Sequence, residues 1–145
     1  MNLELDSKVW GPHFWFFLHT ITFSYPLHPN TPIKKKYYEF IHNIPLFIPI
    51  KSMSSNFSKL LNEYPVTPYL DSRDSFIRWM HFIHNKVNTR LEKPVLSLSK
   101  FYENYYQEYK TVDMKNYDSY VWKSKIVYAI IIIIIVCIII YLYNK

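Results

Sequence analysis

An uncharged apolar run near the carboxyl end of the chain, residues 126–143, is the strongest signal in the hydrophobic pattern. Residues 130–140 within it consist of isoleucine, valine and cysteine alone. A helix of this length rises about 27 Å, close to the hydrocarbon thickness of a thin bilayer. Tyr128, Tyr141 and Tyr143 lie near its ends, where aromatic rings prefer the headgroup region. The pattern therefore predicts one C-terminal transmembrane helix.

The rest of the chain alternates between helical patterns and proline-containing loops. The clearest amphipathic stripe has apolar residues at steps of three and four: Phe76, Met80, Ile83, Val87 and Leu91. Five helices are predicted before the apolar run: residues 10–25; a second with Thr31 as its cap and Pro32 at its first position; residues 53–63; a fourth capped by Asp71 or Ser72 and stopped by Pro94; and residues 99–109. Helices joined by such short loops form a small bundle, so the predicted fold class is all-α.

These elements divide the chain into three predicted parts. Residues 1–112 form a helical domain, residues 113–125 a juxtamembrane linker, and residues 126–143 the transmembrane helix. The protein is therefore expected to be tail-anchored. Two lysines, at positions 123 and 125, precede the apolar run and one, at position 145, follows it, which favours a cytoplasmic location for the helical head.

Composition narrows the chemistry of this head. The chain contains one glycine, so neither of the glycine-rich phosphate-binding loops can be present. The single cysteine, Cys137, permits neither an intramolecular disulfide nor a zinc site made of cysteines. The net charge of +6 is spread along the chain rather than concentrated in one segment, so no nucleic acid partner is predicted.

Two polar stripes interrupt the apolar helices, one in the first helix and one in the fourth. Spacings of three and four residues bring the members of each stripe close to one helix face. The members are Gly11, Trp15 and His19 in the first helix, and His84, Asn88 and Leu91 in or just after the fourth, with Asn85 and Lys93 nearby. If both faces look inward, they offer a ring-stacking surface, imidazoles, amides and one cation. That set suits a planar, phosphorylated aromatic cofactor.

Two other interpretations of these residues stay open. His19 and His84 also fit hydrogen-bonded histidines of a core, with Trp15 as ordinary packing. A metal site is the third alternative, although His81 and His84 form the only close helical pair of histidines and no carboxylate stands at ligand spacing.

Two longer motifs resemble a known family. Residues 10–20, WGPHFWFFLHT, followed by Tyr25-Pro26, are similar to the first helix of the FAD-linked sulfhydryl oxidases of the Erv/ALR family, which reads roughly W-G-R-x-x-W-x-x-L-H and then Y-P. Residues 79–94, WMHFIHNKVNTRLEKP, resemble that family's W-x-x-x-x-H-N-x-V-N-x-R-L-x-K-P. The resemblance covers about residues 8–110, most of the head.

The resemblance implies a four-helix bundle with a short fifth helix and with FAD at the mouth of the bundle. By this likeness Gly11, Trp15 and His19 would line the flavin. The residues implied to hold the adenosine and phosphate part are His84, Asn85, Val87, Asn88, Leu91 and Lys93. Tyr105 falls where the family has an aromatic residue against the cofactor.

The chain departs from the family pattern at its redox centre. Ile50 and Met53 stand where the family has its Cys-x-x-Cys, and neither can act as a thiolate or close a disulfide. Some members carry a second disulfide, whose positions here are His81 and Leu98. The family's arginine after the glycine is Pro12. No catalytic residue of the family is therefore retained.

The expected function is that of a membrane-anchored sulfhydryl oxidase, with the reaction 2 R-SH + O₂ giving a disulfide and H₂O₂, impaired by the loss of both redox cysteines. The alternative is a non-catalytic, flavin-binding or structural pseudoenzyme that assists an active sulfhydryl oxidase. The expected partners of the protein are a membrane, a second copy of the chain or an active paralogue, and proteins that carry thiols. Short tail-anchored members resemble proteins of large DNA viruses, which implies a location in a viral or host membrane, or in the virion, and a role in disulfide formation.

Overall fold

The structure is a computed structural model that describes residues 5–144. These residues form helices and turns without a β-strand. The α-helices are α1 (Ser7–Phe23), α2 (Thr31–Asn43), α3 (Lys51–Glu63), α4 (Arg73–Arg90), α5 (Leu98–Gln107) and α6 (Val112–Tyr143), with 3₁₀ turns at Ile44–Phe47 and Thr67–Tyr69. The all-α prediction is confirmed. The chain divides into two compact units, Met1–Tyr102 and Glu103–Lys145.

The ends of α1 and α2 follow from their caps. The Asp6 carboxylate accepts a hydrogen bond from the Lys8 N–H at 2.8 Å, so α1 begins three residues before the predicted start. The predicted cap of α2, Thr31, is wrong by one residue. Asn30 is the cap, because its side-chain oxygen accepts from the Ile33 N–H at 3.0 Å and satisfies one of the free donors of the first turn.

The fourth helix is the central element of the first unit. Ser72, one of the two predicted caps, accepts from the Ser75 N–H at 3.1 Å. The helix ends at Arg90, four residues before Pro94, because Glu92 adopts a left-handed backbone conformation with φ of 55°. The N–H of Lys93 then bonds back to the Asn88 carbonyl at 2.8 Å. This arrangement is the Schellman ending of a helix, usually made with glycine.

The core of the first unit lies between α1, α2, α3 and α4. Its fully buried apolar residues include Leu18, Ile41, Leu61, Phe76, Met80 and Ile83. Buried Trp79 donates its indole N–H to the Tyr64 carbonyl at 3.1 Å, and buried Tyr25 donates its hydroxyl to the Leu70 carbonyl at 2.8 Å. The first bond ties α4 to the residue after α3, and the second ties the segment after α1 to the turn before α4, so the polar atoms of both large core side chains are paired.

The second unit is dominated by the long helix α6. Thr111 caps it by accepting from the Met114 N–H at 3.3 Å, and the helix then continues without a break to Tyr143. It therefore includes residues 113–125, the segment predicted as a linker, as well as the apolar run. Its side chains are largely exposed, and it is the one helix within residues 5–144 that is long and apolar enough to cross a membrane.

Candidate functional site

Helices α1 and α4 bring Trp15, His19 and His84 into one cluster. The ring centroids of Trp15 and His84 lie 3.9 Å apart with an angle of 8° between the planes, which is a stacked arrangement. His19 Nε2 and His84 Nδ1 are 2.9 Å apart and form a hydrogen bond. The two polar stripes read from the sequence therefore face each other. We call these three residues the aromatic cluster.

Burial keeps both histidines of the cluster neutral. The pKa of His19 is lowered from 6.5 to about 3, first by burial and then by the neighbouring charges of His84 and His81. The pKa of His84 is lowered to about 4, again first by burial and then by His81 and Lys93. A neutral imidazole has one donor and one acceptor nitrogen, so one ring donates to the other across the 2.9 Å contact.

One polar atom of the cluster has no partner. His19 Nδ1 is buried and makes no hydrogen bond within the described part of the chain. Buried polar atoms are normally paired, and an unpaired one costs free energy. The interpretation of His19 as a fully satisfied core histidine is therefore not supported, and the ring has one hydrogen-bonding atom available to a ligand.

Further aromatic rings adjoin the cluster, and the face of α1 at Gly11 is open. The ring of Phe101, from the start of α5, lies 4.5 Å from that of His19, and Phe57 of α3 meets Trp15 edge to face at 6.2 Å. A Cβ atom built on Gly11 would meet nothing within 4 Å, so the helix surface one turn before Trp15 is open. Such a surface, apolar with a few polar atoms, has the character of a small-molecule site.

The amide of Asn85 is engaged with the backbone of Leu96. Asn85 Nδ2 donates to the Leu96 carbonyl at 2.8 Å, and the Leu96 N–H donates to Asn85 Oδ1 at 3.0 Å. His81 Nε2 lies 2.9 Å from the same carbonyl, which can accept a second hydrogen bond. We call these three contacts the Leu96 clamp. The clamp attaches the segment after α4 to the turn that carries His84.

The other residues predicted on α4 have different surroundings. Val87 packs against the core, which agrees with its place in the apolar stripe. Asn88 is half-buried, and Leu91 is exposed at the end of the helix. Lys93 is exposed, and its charge is near enough to depress the pKa of His84. The place of Lys93 in a cofactor site stays a prediction.

Comparison with known proteins identifies the family of this chain. A sequence profile of the Erv1 / Alr family matches residues 12–107. The chain belongs to the Erv1/Alr family. It is 34% identical over 119 residues to the "Probable FAD-linked sulfhydryl oxidase" of Acanthamoeba polyphaga mimivirus, a match that covers 81% of each chain. It is 31% identical over 99 residues to the FAD-linked sulfhydryl oxidase of African swine fever virus, covering 68% of this chain and 81% of the viral one.

The fold of the Erv1/Alr family is found in solved structures as well. The crystal structure of the FAD-binding domain of Erv1 from Saccharomyces cerevisiae superimposes with a TM-score of 0.64 at 28% identity, over 70% of this chain and 95% of that one. The yeast Erv1 core matches equally well, with a TM-score of 0.64 at 27% identity over 72% of this chain and 88% of that one.

The member described here has no thiol at the family's redox position. Ile50 is the residue immediately before α3, and Met53 lies in the first turn of that helix. Both side chains are half-buried. The only cysteine of the sequence, Cys137, is in the apolar run of α6. The first unit therefore contains no cysteine.

Tyr105 belongs to the second unit. Its hydroxyl group and that of Tyr109 are 2.8 Å apart and share a hydrogen bond. The role implied for Tyr105 against a cofactor stays a prediction.

Two contributors to the site were missed by sequence reasoning. Phe101 lies within the aromatic segment after Pro94, but nothing in its spacing relates it to His19. The backbone of Leu96 carries no sequence signal, because any residue has the same N–H and carbonyl groups.

For the metal alternative, no three His, Cys, Asp or Glu side chains come together as ligands within residues 5–144.

Proposed function

We propose that this chain is a membrane-anchored, FAD-binding member of the Erv1/Alr family whose thiol oxidase activity is impaired. The observation that carries the proposal is the aromatic cluster, in which two motifs distant in sequence meet and leave a buried atom, His19 Nδ1, without a partner. A flat heteroaromatic ligand with hydrogen-bonding edges fits such a surface. The names of the relatives make FAD the candidate of choice.

Each predicted site residue has a proposed role in holding FAD. Trp15 and His84 supply the stacked rings, neutral His19 supplies a hydrogen bond, and open Gly11 permits close approach. Lys93 supplies the cation for the phosphates, since it is exposed and acts on His84 electrostatically. The other residues proposed to line the FAD site are Val87, Asn88, Leu91 and Tyr105. Asn85 has a different proposed role.

The proposed impairment follows from the residues at the redox position. Bound FAD would accept two electrons from thiols and pass them to O₂, giving a disulfide and H₂O₂. In this chain Ile50 and Met53 cannot form the thiolate and disulfide that carry electrons from a substrate. A substrate thiol would have to reach the flavin directly, which predicts slow turnover.

The proposed anchor is α6. Its apolar run is long enough to cross a bilayer, and its side chains are exposed. We assign residues 1–112 to the FAD-binding head, residues 113–125 to a helical juxtamembrane segment, and residues 126–143 to the span. The lysine distribution favours a cytoplasmic head, and the viral relatives favour a viral or host membrane or a virion as the location.

A second candidate function is a non-catalytic partner of an active sulfhydryl oxidase. It is favoured by cofactor motifs that persist without their cysteines and by apolar side chains exposed on α1, with Val9 67% and Phe17 53% exposed. A second copy of the chain or an active paralogue could cover them. Chemical cross-linking of the full chain together with a Cys-x-x-Cys relative tests this candidate. A mixed dimer supports it, and monomers of both proteins exclude it.

The main proposal is tested with the full chain purified in detergent micelles. The first measurement is FAD titration followed by flavin fluorescence or absorbance. The second is stopped-flow reduction of the bound flavin by dithiothreitol. We expect binding with reduction no faster than that of free FAD. Rapid reduction would remove the claim of impairment, and absence of binding would remove the claim of a flavoprotein.

A further inference from the structure

We propose that Asn85 and His81 are positioning residues, which act on a bound dinucleotide through the segment that contains Lys93 rather than by touching it. The inference rests on the proposed function, because Lys93 needs an anionic group to bind. It gives Asn85 a role different from the cofactor contact that the resemblance implies.

The geometry of the Leu96 clamp carries this inference. Both ends of the Asn85 amide are directed to the backbone of one residue, with contacts of 2.8 Å to the carbonyl and 3.0 Å from the N–H of Leu96. The amide therefore binds both backbone polar groups of Leu96. Its oxygen accepts from Leu96 and one of its two N–H groups donates to Leu96, which leaves the second N–H when His81 Nε2 donates to the Leu96 carbonyl. Little capacity is left for a ligand.

The segment between α4 and α5 is fixed at both of its ends. At the first end, the N–H of Lys93 bonds to the Asn88 carbonyl at 2.8 Å and that of Glu92 bonds to the Thr89 carbonyl at 3.2 Å. At the second end, Leu96 is held by the clamp. Pro94 between them has a restricted backbone. The backbone of Lys93 is therefore held in a defined position, and its charge acts on His84.

The clamp also contacts the aromatic cluster. The ring of His81 lies 5.2 Å from that of Phe101, which lies 4.5 Å from His19. His81 is one of the two positions at which some family members are implied to have a disulfide, the other being Leu98. Here a hydrogen bond from His81 to Leu96, two residues before Leu98, ties the same two segments together.

A double-mutant cycle on FAD affinity separates positioning from direct contact. The variants are Asn85→Ala, Lys93→Ala and their combination, made in the full chain in micelles, with exposed Asn62→Ala on α3 as the matched control. We expect each single variant to weaken FAD binding about tenfold, because each removes the same cationic contact. The double variant is then expected to be no more than about twofold weaker than either single variant. The control is expected to bind as the unmodified chain does.

Two outcomes overturn the proposal: an Asn85→Ala variant with unchanged affinity, or a double variant about a hundredfold weaker, which shows that the two residues bind independently. His81→Phe is the second variant in case Asn85→Ala does not fold. It keeps a ring against Phe101 and removes one clamp bond, so we expect about threefold weaker binding with non-additivity toward Lys93→Ala. Additive effects in this cycle would likewise overturn the proposal.

A measurement without cofactor distinguishes failure of the clamp from failure of the proposed function. Hydrogen exchange of peptides covering residues 94–97 reports the Leu96 N–H bond to Asn85 directly. We expect faster exchange in Asn85→Ala than in Asn62→Ala. Equal exchange in both overturns the clamp even if FAD binds. Faster exchange in a chain that does not bind FAD leaves the clamp standing and removes only the proposed function.

Discussion

The imidazole of His84 lies flat on the indole of Trp15, with centroids 3.9 Å apart and planes 8° apart. One residue comes from α1 and the other from α4, and 68 residues separate them in the chain. Their contact joins two motifs that the sequence presents separately. The two rings also cover each other, so removing one changes the surface available to any ligand of the other.

Replacing Trp15 tests this surface. We expect Trp15→Ala to weaken FAD binding at least tenfold, because the stacked pair is lost together with buried aromatic area. Phe17→Ala is the matched control, since Phe17 is on the same helix and 53% exposed. Titration of the full-chain variants with FAD measures the effect. Equal affinities for the two variants would contradict the assignment of Trp15 to the site.

Acidification is expected to destabilise the chain through His19 and His84. Both pKa values are lowered by burial, to about 3 and about 4. Between pH 6.5 and about 4 these histidines are protonated in the unfolded chain and neutral in the folded one, so the unfolded state binds more protons. Stability is therefore full above pH 6.5 and falls as the pH is lowered, by about 1.4 kcal/mol per pH unit for each histidine.

The pH effect is measured by denaturant unfolding at several pH values. A variant with both His19→Gln and His84→Gln is the comparison, because it retains the carboxylates that also titrate in this range. We expect its stability to depend less on pH between 6.5 and 4 than that of the unmodified chain. Parallel curves for the two proteins would contradict the neutral, buried state of the pair.

Substituting Glu92 tests the ending of α4. A residue other than glycine with φ near 55° is strained by its Cβ, and this strain costs about 1 kcal/mol. Glu92→Gly is expected to raise the free energy of unfolding by about 0.5–1 kcal/mol, since the added freedom of the unfolded chain offsets part of the gain. Glu92→Ala, which removes the charge and keeps the Cβ, is the control and should give no increase. Thermal unfolding of both variants distinguishes the relief of backbone strain from the loss of the Glu92 charge.

Restoring the cysteines tests the proposed impairment. We expect the double variant Ile50→Cys with Met53→Cys to gain dithiothreitol-dependent O₂ consumption over the unmodified chain by at least tenfold. The pair would stand at the beginning of α3, where the helix N-terminus favours a thiolate. Ile50→Ser with Met53→Ser is the control of similar polarity. Activity in the unmodified chain equal to that of the cysteine variant would contradict the impairment.

Much of the fold could be predicted from the sequence, because the residue at which a helix begins or ends depends mainly on its neighbours in the chain. Ser72 was one of two predicted caps, and the apolar stripe from Phe76 to Val87 is largely buried as its spacing required. The prediction of Thr31 as a cap is wrong because asparagine and threonine both cap helices well, and only the geometry of the turn selects Asn30. Pro94 is the visible stop signal in the sequence, and it predicts too late an end for α4, because Glu92 adopts a conformation that is usually reserved for glycine.

Only part of the candidate site could be predicted from spacing, because the site joins residues of two helices that are distant in the chain. Spacing places Trp15 and His19 on one helix face, but it cannot show that His84 from a distant helix meets them. That step came from the likeness of both motifs to one family. Neither residue spacing nor the family resemblance predicts the Leu96 clamp. Its acceptor and donor are backbone atoms, which the Schellman ending of α4 brings near Asn85.

The aromatic cluster and Lys93 are proposed to form a site for FAD. The most direct test is the visible absorption spectrum of the full chain, purified in detergent after expression and after incubation with FAD and removal of the excess. We expect the two visible bands of a bound flavin at close to one FAD per chain, and their loss in Trp15→Ala. A folded but colourless unmodified chain would contradict the proposed FAD site.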